Sequence, residues 1–98
     1  MPKFSRDKGR RGEQQIARLL HGKRTGIAGV VTQIDVSTVF ADYQVKNCNL
    51  NGTAILEALE ALIGESDSKK AQYVIFKPDR GKWLMVETMS QHIGHHGG

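Results

Sequence analysis

The stretch Gln33-Ile34-Asp35-Val36-Ser37-Thr38-Val39-Phe40-Ala41-Asp42-Tyr43-Gln44-Val45-Lys46 decides how this chain is read. From Gly26 to Asn47 the character is β. Val30 to Val36 reads as one strand and Val39 to Lys46 as the next, joined by a tight connection near Ser37-Thr38. Side chains alternate across a strand. Val39, Ala41, Tyr43 and Val45 therefore point one way, and Phe40, Asp42, Gln44 and Lys46 the other. In the first strand Ile34 and Val36 share one face, and Gln33, Asp35 and Ser37 the opposite one. Two antiparallel neighbours thus each carry a largely apolar face and a polar face, and the polar faces can line a common site.

Before this pair, Ser5 or Asp7 can cap a helix running from about residue 8 to His21, stopped by Gly22. Within it Glu13, Ile16, Ala17 and Leu20 follow the i, i+3, i+4, i+7 stripe. Glu13 is an acid on a stripe that otherwise faces the core. After the pair, Asn49 to Thr53 supplies a loop and a cap, and 54–63 is a strong helix of good helix formers. Gly64 to Ser68 reads as a solvated turn. Gln72 to Phe76 and Trp83 to Val86 are short apolar strands around the turn Pro78-Asp79-Arg80-Gly81. The order is αβββ or αββ, then αββ. That predicts an α/β protein with an αβββαβ-type core, a small mixed sheet flanked by helices. The 98 residues make one domain, with a basic arm over 1–8 and a flexible tail over 90–98.

The formal net charge of +4 is unevenly spread: residues 1–25 carry +6 and the remainder −2. A basic block on a nearly neutral body suits a polyanion held by its backbone, so nucleic acid is the expected partner. Lys8, Arg10, Arg11, Arg18, Lys23 and Arg24 are the candidate phosphate contacts, with Asn47 beside them. No apolar run reaches membrane-spanning length, and the charged first residues do not resemble a signal peptide. The single Cys48 allows no internal disulfide and no paired-cysteine metal site. An intracellular setting without membrane association follows as the expectation.

Phosphodiester cleavage calls for a divalent cation with oxygen ligands, a water near it, and a positive group for the charge that builds on phosphorus. Asp35 and Gln44 on the shared polar face can approach one ion, with Lys46 beside it. The Val45 carbonyl leaves the same strand sideways as another hard oxygen. Glu13, entering from the first helix, completes the set directly or through water.

These residues carry a resemblance. The acid on one strand followed by Gln44-Val45-Lys46 on the next resembles the PD-(D/E)XK nuclease superfamily. More narrowly, Lys8-Gly9-Arg10-Arg11-Gly12-Glu13 opening a helix, then Ile34-Asp35-Val36, then Tyr43-Gln44-Val45-Lys46-Asn47 is similar to its Holliday-junction resolvase-like and phage-type endonucleases. The resemblance implies a restriction-endonuclease-like fold and a Mg²⁺- or Mn²⁺-dependent DNA endonuclease. It also implies a homodimer acting on branched DNA such as Holliday junctions, in the cytoplasm or nucleoid of a bacterial host. Asp35 would be the metal-binding aspartate, Lys46 the motif lysine and Glu13 the helix acid. Gln44 stands where the family usually has a carboxylate. An amide oxygen can bind a hard cation but brings no charge. A DNA-binding module with weakened chemistry, or a general phage nicking endonuclease, therefore stands beside the leading reading.

Each residue also has a plain alternative. Asp35 can be a strand-end acid, Lys46 a solvated charge and Glu13 a partner of its own helix dipole. Asp42 shares the face of Gln44, as a substitute ligand or, more simply, a surface acid near the strand start. Tyr43, Phe76 and Trp83 read as core rather than stacking platforms. His92, His95 and His96 have no carboxylate or cysteine partner in sequence that would make them a transition-metal site.

Overall fold

The computed structural model describes residues 2–25, 32–67 and 69–96, with side chains described from Gly9 to Gly94 within those ranges. The elements are α1 (Pro2–Leu20), β1 (Lys23–Arg24), β2 (Val36–Ser37), β3 (Ala41–Lys46), α2 (Gly52–Glu65), β4 (Ala71–Phe76), β5 (Leu84–Val86) and α3 (Met89–His96). The first six run in the expected order αβββαβ. The five strands form one mixed sheet in the order β1-β2-β3-β4-β5. Among the described strands only β3 and β4 are parallel, from Ala41↔Ala71 to Lys46↔Phe76, with α2 as the crossover between them. The other neighbours are antiparallel.

Alternation along β3 and β4 sets the layers. Ala41, Tyr43, Val45, Ala71 and Ile75 join Val36 and the α1 residues Ile16 and Ala17 in one buried cluster. The opposite face of the sheet is covered by α2, whose Leu59 and Leu62 are buried, as are Val74 and Phe76 on β4. Burying a side chain such as Leu62 or Val74 completely contributes about 1.5–3 kcal/mol.

Helix α1 begins at Pro2, not near residue 8, so Ser5 and Asp7 lie inside it and the basic arm is its first turns. Proline is favoured in a first turn because its missing N–H has no intrahelical partner there. At the other end His21, not Gly22, takes the left-handed conformation, with φ 54°. The Gly22 N–H bonds to the Ala17 carbonyl at 2.9 Å and the His21 N–H to Arg18 at 3.4 Å, the two bonds of a Schellman ending.

The expected strand from Val30 is mostly replaced. Its first residues, 30 and 31, lie outside the described ones, 32–35 are irregular, and only Val36–Ser37 is strand. Glu65 anchors the irregular segment, accepting from Thr32 Oγ1 and from the Gln33 N–H, each at 2.7 Å. Gly64 and Glu65 thus belong to α2 rather than to a solvated turn. The next strand starts at Ala41 because Thr38 closes a turn: its N–H donates to the Ala41 carbonyl at 2.8 Å. Its hydroxyl accepts the Phe40 and Ala41 N–H groups. Val39 and Phe40 ride that turn at more than 80 % exposure, so Val39 is not a core residue.

Helix α2 is capped by Asn51, whose side chain accepts from the Ala54 N–H at 2.8 Å. The tail expected to be irregular forms α3. Thr88 caps it by accepting the Gln91 N–H at 3.1 Å, in a Thr-x-x-Gln pattern. The Gln91 amide then clamps β4, accepting from the Gln72 N–H at 2.7 Å and donating to the Gln72 carbonyl at 2.9 Å. Gly97 and Gly98 of that tail lie outside the described residues.

Candidate active site

β2 and β3 part company at Asp35, and the site lies in the gap. The Asp35 N–H still donates to the Tyr43 carbonyl at 2.8 Å, and its own carbonyl accepts from Thr25 at 2.9 Å. Beyond it no ladder residue among the described ones meets the Val45 N–H. The Asp35 carboxylate takes that role, with Oδ2 accepting from Val45 N at 2.8 Å. A residue's N–H and C=O leave a strand on the same edge, so the Val45 carbonyl also faces the β2 side.

A cleft of about 360 Å³ opens here, lined by Gly9, Glu13, Asp35, Val45, Lys46, Asn47 and Cys48. Gly9 and Glu13 lie one turn apart on α1 and so share a face. Gly12, on the same stretch, lets the helix come close: a Cβ there would lie 3.1 Å from Asn47 Cβ and 3.2 Å from the Trp83 ring. Close approach of α1 to the end of β3 is what brings Glu13 to Asp35.

Both acids have pKa values raised from their ordinary ones. Burial raises the Asp35 pKa, only partly countered by the Val45 N–H and by the charges of Lys46 and Arg24. Burial also raises Glu13, as does repulsion from Asp35, against the pull of Arg24, Lys46 and Arg10. The site is therefore a pair of desolvated carboxylates with incomplete compensation. Arg24 Nη2 stands 3.8 Å from Glu13 Oε1, and its buried Nε has no hydrogen-bond partner among the described residues.

That donor set suits a hard divalent cation. It offers two carboxylates and a backbone carbonyl, all oxygen, and Mg²⁺ is commonly held by one or two carboxylates with waters completing the shell. A +2 charge would also remove the repulsion that raises Glu13. Among the described residues no group of three or more His, Cys, Asp or Glu side chains could hold a metal ion. The cation would thus rest on few protein charges.

Glu13, Asp35, Val45, Lys46 and Asn47 are brought together, whereas Gln44 is turned elsewhere. It is only 3 % exposed and faces α2. Its Nε2 donates to Gln33 Oε1 at 2.8 Å, and its Oε1 is buried without a partner among the described residues. A second cleft on that side is lined by Gln33, Gln44, Lys46, Leu50, Ala54, Glu57, Ala58 and Ala61. Lys46 borders both clefts.

Asp42 is not a surface acid. At 3 % exposure it accepts from Ser37 Oγ and Ser66 Oγ, each at 2.6 Å, and from Lys70 Nζ at 2.7 Å. Burial pushes its pKa up, but the Lys70, Ser37 and Ser66 bonds and the Lys70 charge together bring it below the ordinary value. Asp42 joins β2, β3, the end of α2 and the entry to β4.

Of the candidate phosphate contacts, Arg10, Arg11, Arg18 and Lys23 are exposed, whereas Arg24 is half-buried beside Glu13. The Lys8 side chain lies outside the described residues, as do those of His95 and His96. His92 pairs with Glu87, Nδ1 to Oε2 at 3.1 Å. Tyr43 and Phe76 are core, and half-buried Trp83 packs against the main cluster. Sequence reasoning missed Cys48 in the cleft, Gln33 as partner of Gln44, and Arg24 as partner of Glu13. For Arg24 the cause is tertiary: the edge strand β1 pairs Arg24 with Val36 and so brings it beside Glu13.

Comparison of the chain with protein-family models, with curated proteins and with solved structures finds no match in any of the three. Among the described residues no helix is long and apolar enough to cross a membrane.

Proposed function

We propose that this chain is a divalent-metal-dependent DNA endonuclease. The observation that supports it most is the convergence of two desolvated carboxylates, Glu13 and Asp35, with Lys46 and the Val45 carbonyl in one cleft beside basic α1. Asp35, Glu13 and the Val45 carbonyl would hold a Mg²⁺ or Mn²⁺ ion. Such a cation, when bound, supplies Lewis-acid stabilisation of the charge that develops on the phosphate. Lys46 adds a fixed positive charge at the same place and orients the attacking water. Asp35, braced by the Val45 N–H, keeps its orientation without substrate. Arg10, Arg18 and Lys23 bind flanking phosphates. Branched DNA as substrate and a homodimer as the working form rest on the resemblance to junction-resolving nucleases.

Incubation of the purified protein with labelled four-way junction, flap and linear duplex in Mg²⁺ or Mn²⁺ tests the reading. Cleavage that disappears in Asp35→Ala and Lys46→Ala is the expected result. Cleavage of flap or duplex equal to that of the junction would instead favour a general nicking enzyme. A second reading, a DNA-binding module without turnover, is favoured by the uncharged Gln44 and its turn away from the carboxylates. It requires salt-sensitive DNA binding unchanged in Asp35→Ala, with no cleavage by the native chain.

A further inference from the structure

We propose that the cleft on the α2 face of the sheet is a nucleotide subsite, which takes one unpaired nucleobase next to the phosphate at Lys46. The inference deepens the nuclease reading and rests on it. Its basis is Gln44, whose side chain is buried at 3 % exposure, with Oε1 left without a partner among the described residues. A buried acceptor of this kind is costly unless a donor reaches it. The cleft it borders holds about 270 Å³. That is below the roughly 300–1,000 Å³ of sites for drug-sized ligands, and suits a single base.

The wall is as informative as the floor. Ala54, Ala58 and Ala61 succeed one another at i, i+4 and i+7 along α2, and Leu50, in the loop before the helix, lines the cleft with them. Short apolar side chains leave a flat surface against which a planar ring can lie. Gln33 and Glu57 add polar groups at the rim. Gln44 lines this cleft with its amide fixed through Nε2 by Gln33, and an N–H on the edge of a base bound there is the donor that its buried oxygen lacks. Lys46 borders this cleft and the Glu13–Asp35 cleft, so a base here and a phosphate there can belong to one nucleotide step. Planar ring, N–H donor and adjacent phosphate together specify a nucleotide. Taking a base from a paired stack costs unstacking energy, least where the base is already unpaired. The cleft thus selects for DNA with an unpaired position beside the cut.

The test is a binding titration in EDTA, which separates it from turnover. Three labelled duplexes are compared: one with an extra adenosine, one with an abasic residue at that position, and one fully paired. The native chain is expected to bind the adenosine duplex about tenfold more tightly than the abasic one, the size of one buried hydrogen-bonded base contact. Ala58→Trp and Ala54→Trp fill the cleft and should erase that difference while leaving affinity for the paired duplex unchanged. A 2-aminopurine at the extra position should change its fluorescence on binding the native chain and not on binding either variant. Equal affinity of the native chain for the adenosine and abasic duplexes overturns the subsite alone. Discrimination retained in both folded variants does the same. Failure to bind any of the three overturns the subsite and the nuclease reading together.

Discussion

Asp35 Oδ2 accepts the Val45 N–H at 2.8 Å, so the acid of one strand completes the hydrogen bonding of the next where their ladder ends. The bond orients the carboxylate, yet burial still raises its pKa, and Glu13 is raised likewise with Asp35 adding to it. The sign follows from linkage. A group whose pKa is higher folded than unfolded contributes its stability in full below its ordinary value, 3.8 for Asp35 and 4.5 for Glu13. That contribution is lost as pH rises through the folded value. Once both are charged, the pair is therefore a liability that a divalent cation would relieve. Adding Mg²⁺ or Mn²⁺ should raise the Tm more at about pH 7.5 than at about pH 5, because the ligands must be deprotonated. A metal-induced shift that is equal at both pH values would count against ligation by this pair.

Asp35→Asn tests role against fold. An asparagine keeps an oxygen for the Val45 N–H and drops the buried charge, so the metal-free Tm should be unchanged or higher. The metal-induced shift should vanish, and DNA cleavage should fall by about 10²-fold or more. Thermal melts with and without Mn²⁺, alongside the cleavage assay, separate the outcomes. A lower metal-free Tm with cleavage intact would make Asp35 a structural acid.

Element order and the meeting of Glu13, Asp35, Val45 and Lys46 were legible because they depend on local signals: helical periodicity, strand alternation and an acid out of place on an apolar stripe. Gln44 and Asp42 were not. Alternation shows which side chains share a face but not which face a later helix covers. The polar face carrying Asp42 and Gln44 is expected to line a site with Asp35, and α2 closes over it instead. Residues 32–35 departed from strand because Glu65, far along the chain, takes the Gln33 N–H. Thr88-Met89-Ser90-Gln91 has the spacing of a capping box, but the glycines and histidines that follow carry no helical periodicity, so α3 was not expected.

His21 should be a weak point. A non-glycine residue in the left-handed region costs on the order of 1 kcal/mol relative to glycine, and His21 sits there with φ 54°. His21→Gly is expected to stabilise the protein by about 0.5–1 kcal/mol in urea melts, somewhat offset by the greater freedom of glycine in the unfolded chain. Gly22→Ala should do the reverse. A Cβ there would stand 2.9 Å from the Ser37 carbonyl oxygen and 2.9 Å from Val36 Cγ1, and such overpacking costs about 1–3 kcal/mol.

Lys70 supplies the only cation bonded to Asp42 among the described residues, Nζ to Oδ1 at 2.7 Å. Lys70→Met leaves a buried carboxylate with two hydroxyl donors and no charge partner, and should destabilise by about 2–3 kcal/mol, less than a fully buried pair because Lys70 is partly exposed. Adding Asp42→Asn to that variant should recover much of the loss, since the neutral amide needs no cation. The pH dependence also differs from that of Asp35. Asp42 lies below its ordinary value of 3.8, so the stability it contributes is present above that value and is lost as pH falls through the folded one. Urea melts of the single and double variants measure the coupling, and additive losses would show that the pair does not interact.

Arg10, Arg18 and Lys23 are exposed on α1 and on the edge strand after it, where a phosphate backbone entering the cleft would pass. Each phosphate contact releases condensed counterions, so log Kd against log salt should lose about one unit of slope for each contact removed. Arg18→Ala and Lys23→Ala should therefore flatten the slope by about one unit apiece and weaken binding to any DNA sequence equally. Arg10→Ala should do this and also raise the Glu13 pKa further, because Arg10 is among the charges that lower it. Its cleavage profile should then shift to higher pH, while those of the other two variants keep the native midpoint. Fluorescence anisotropy across a salt series gives the slopes. Three unchanged slopes would remove this face of α1 from the DNA path.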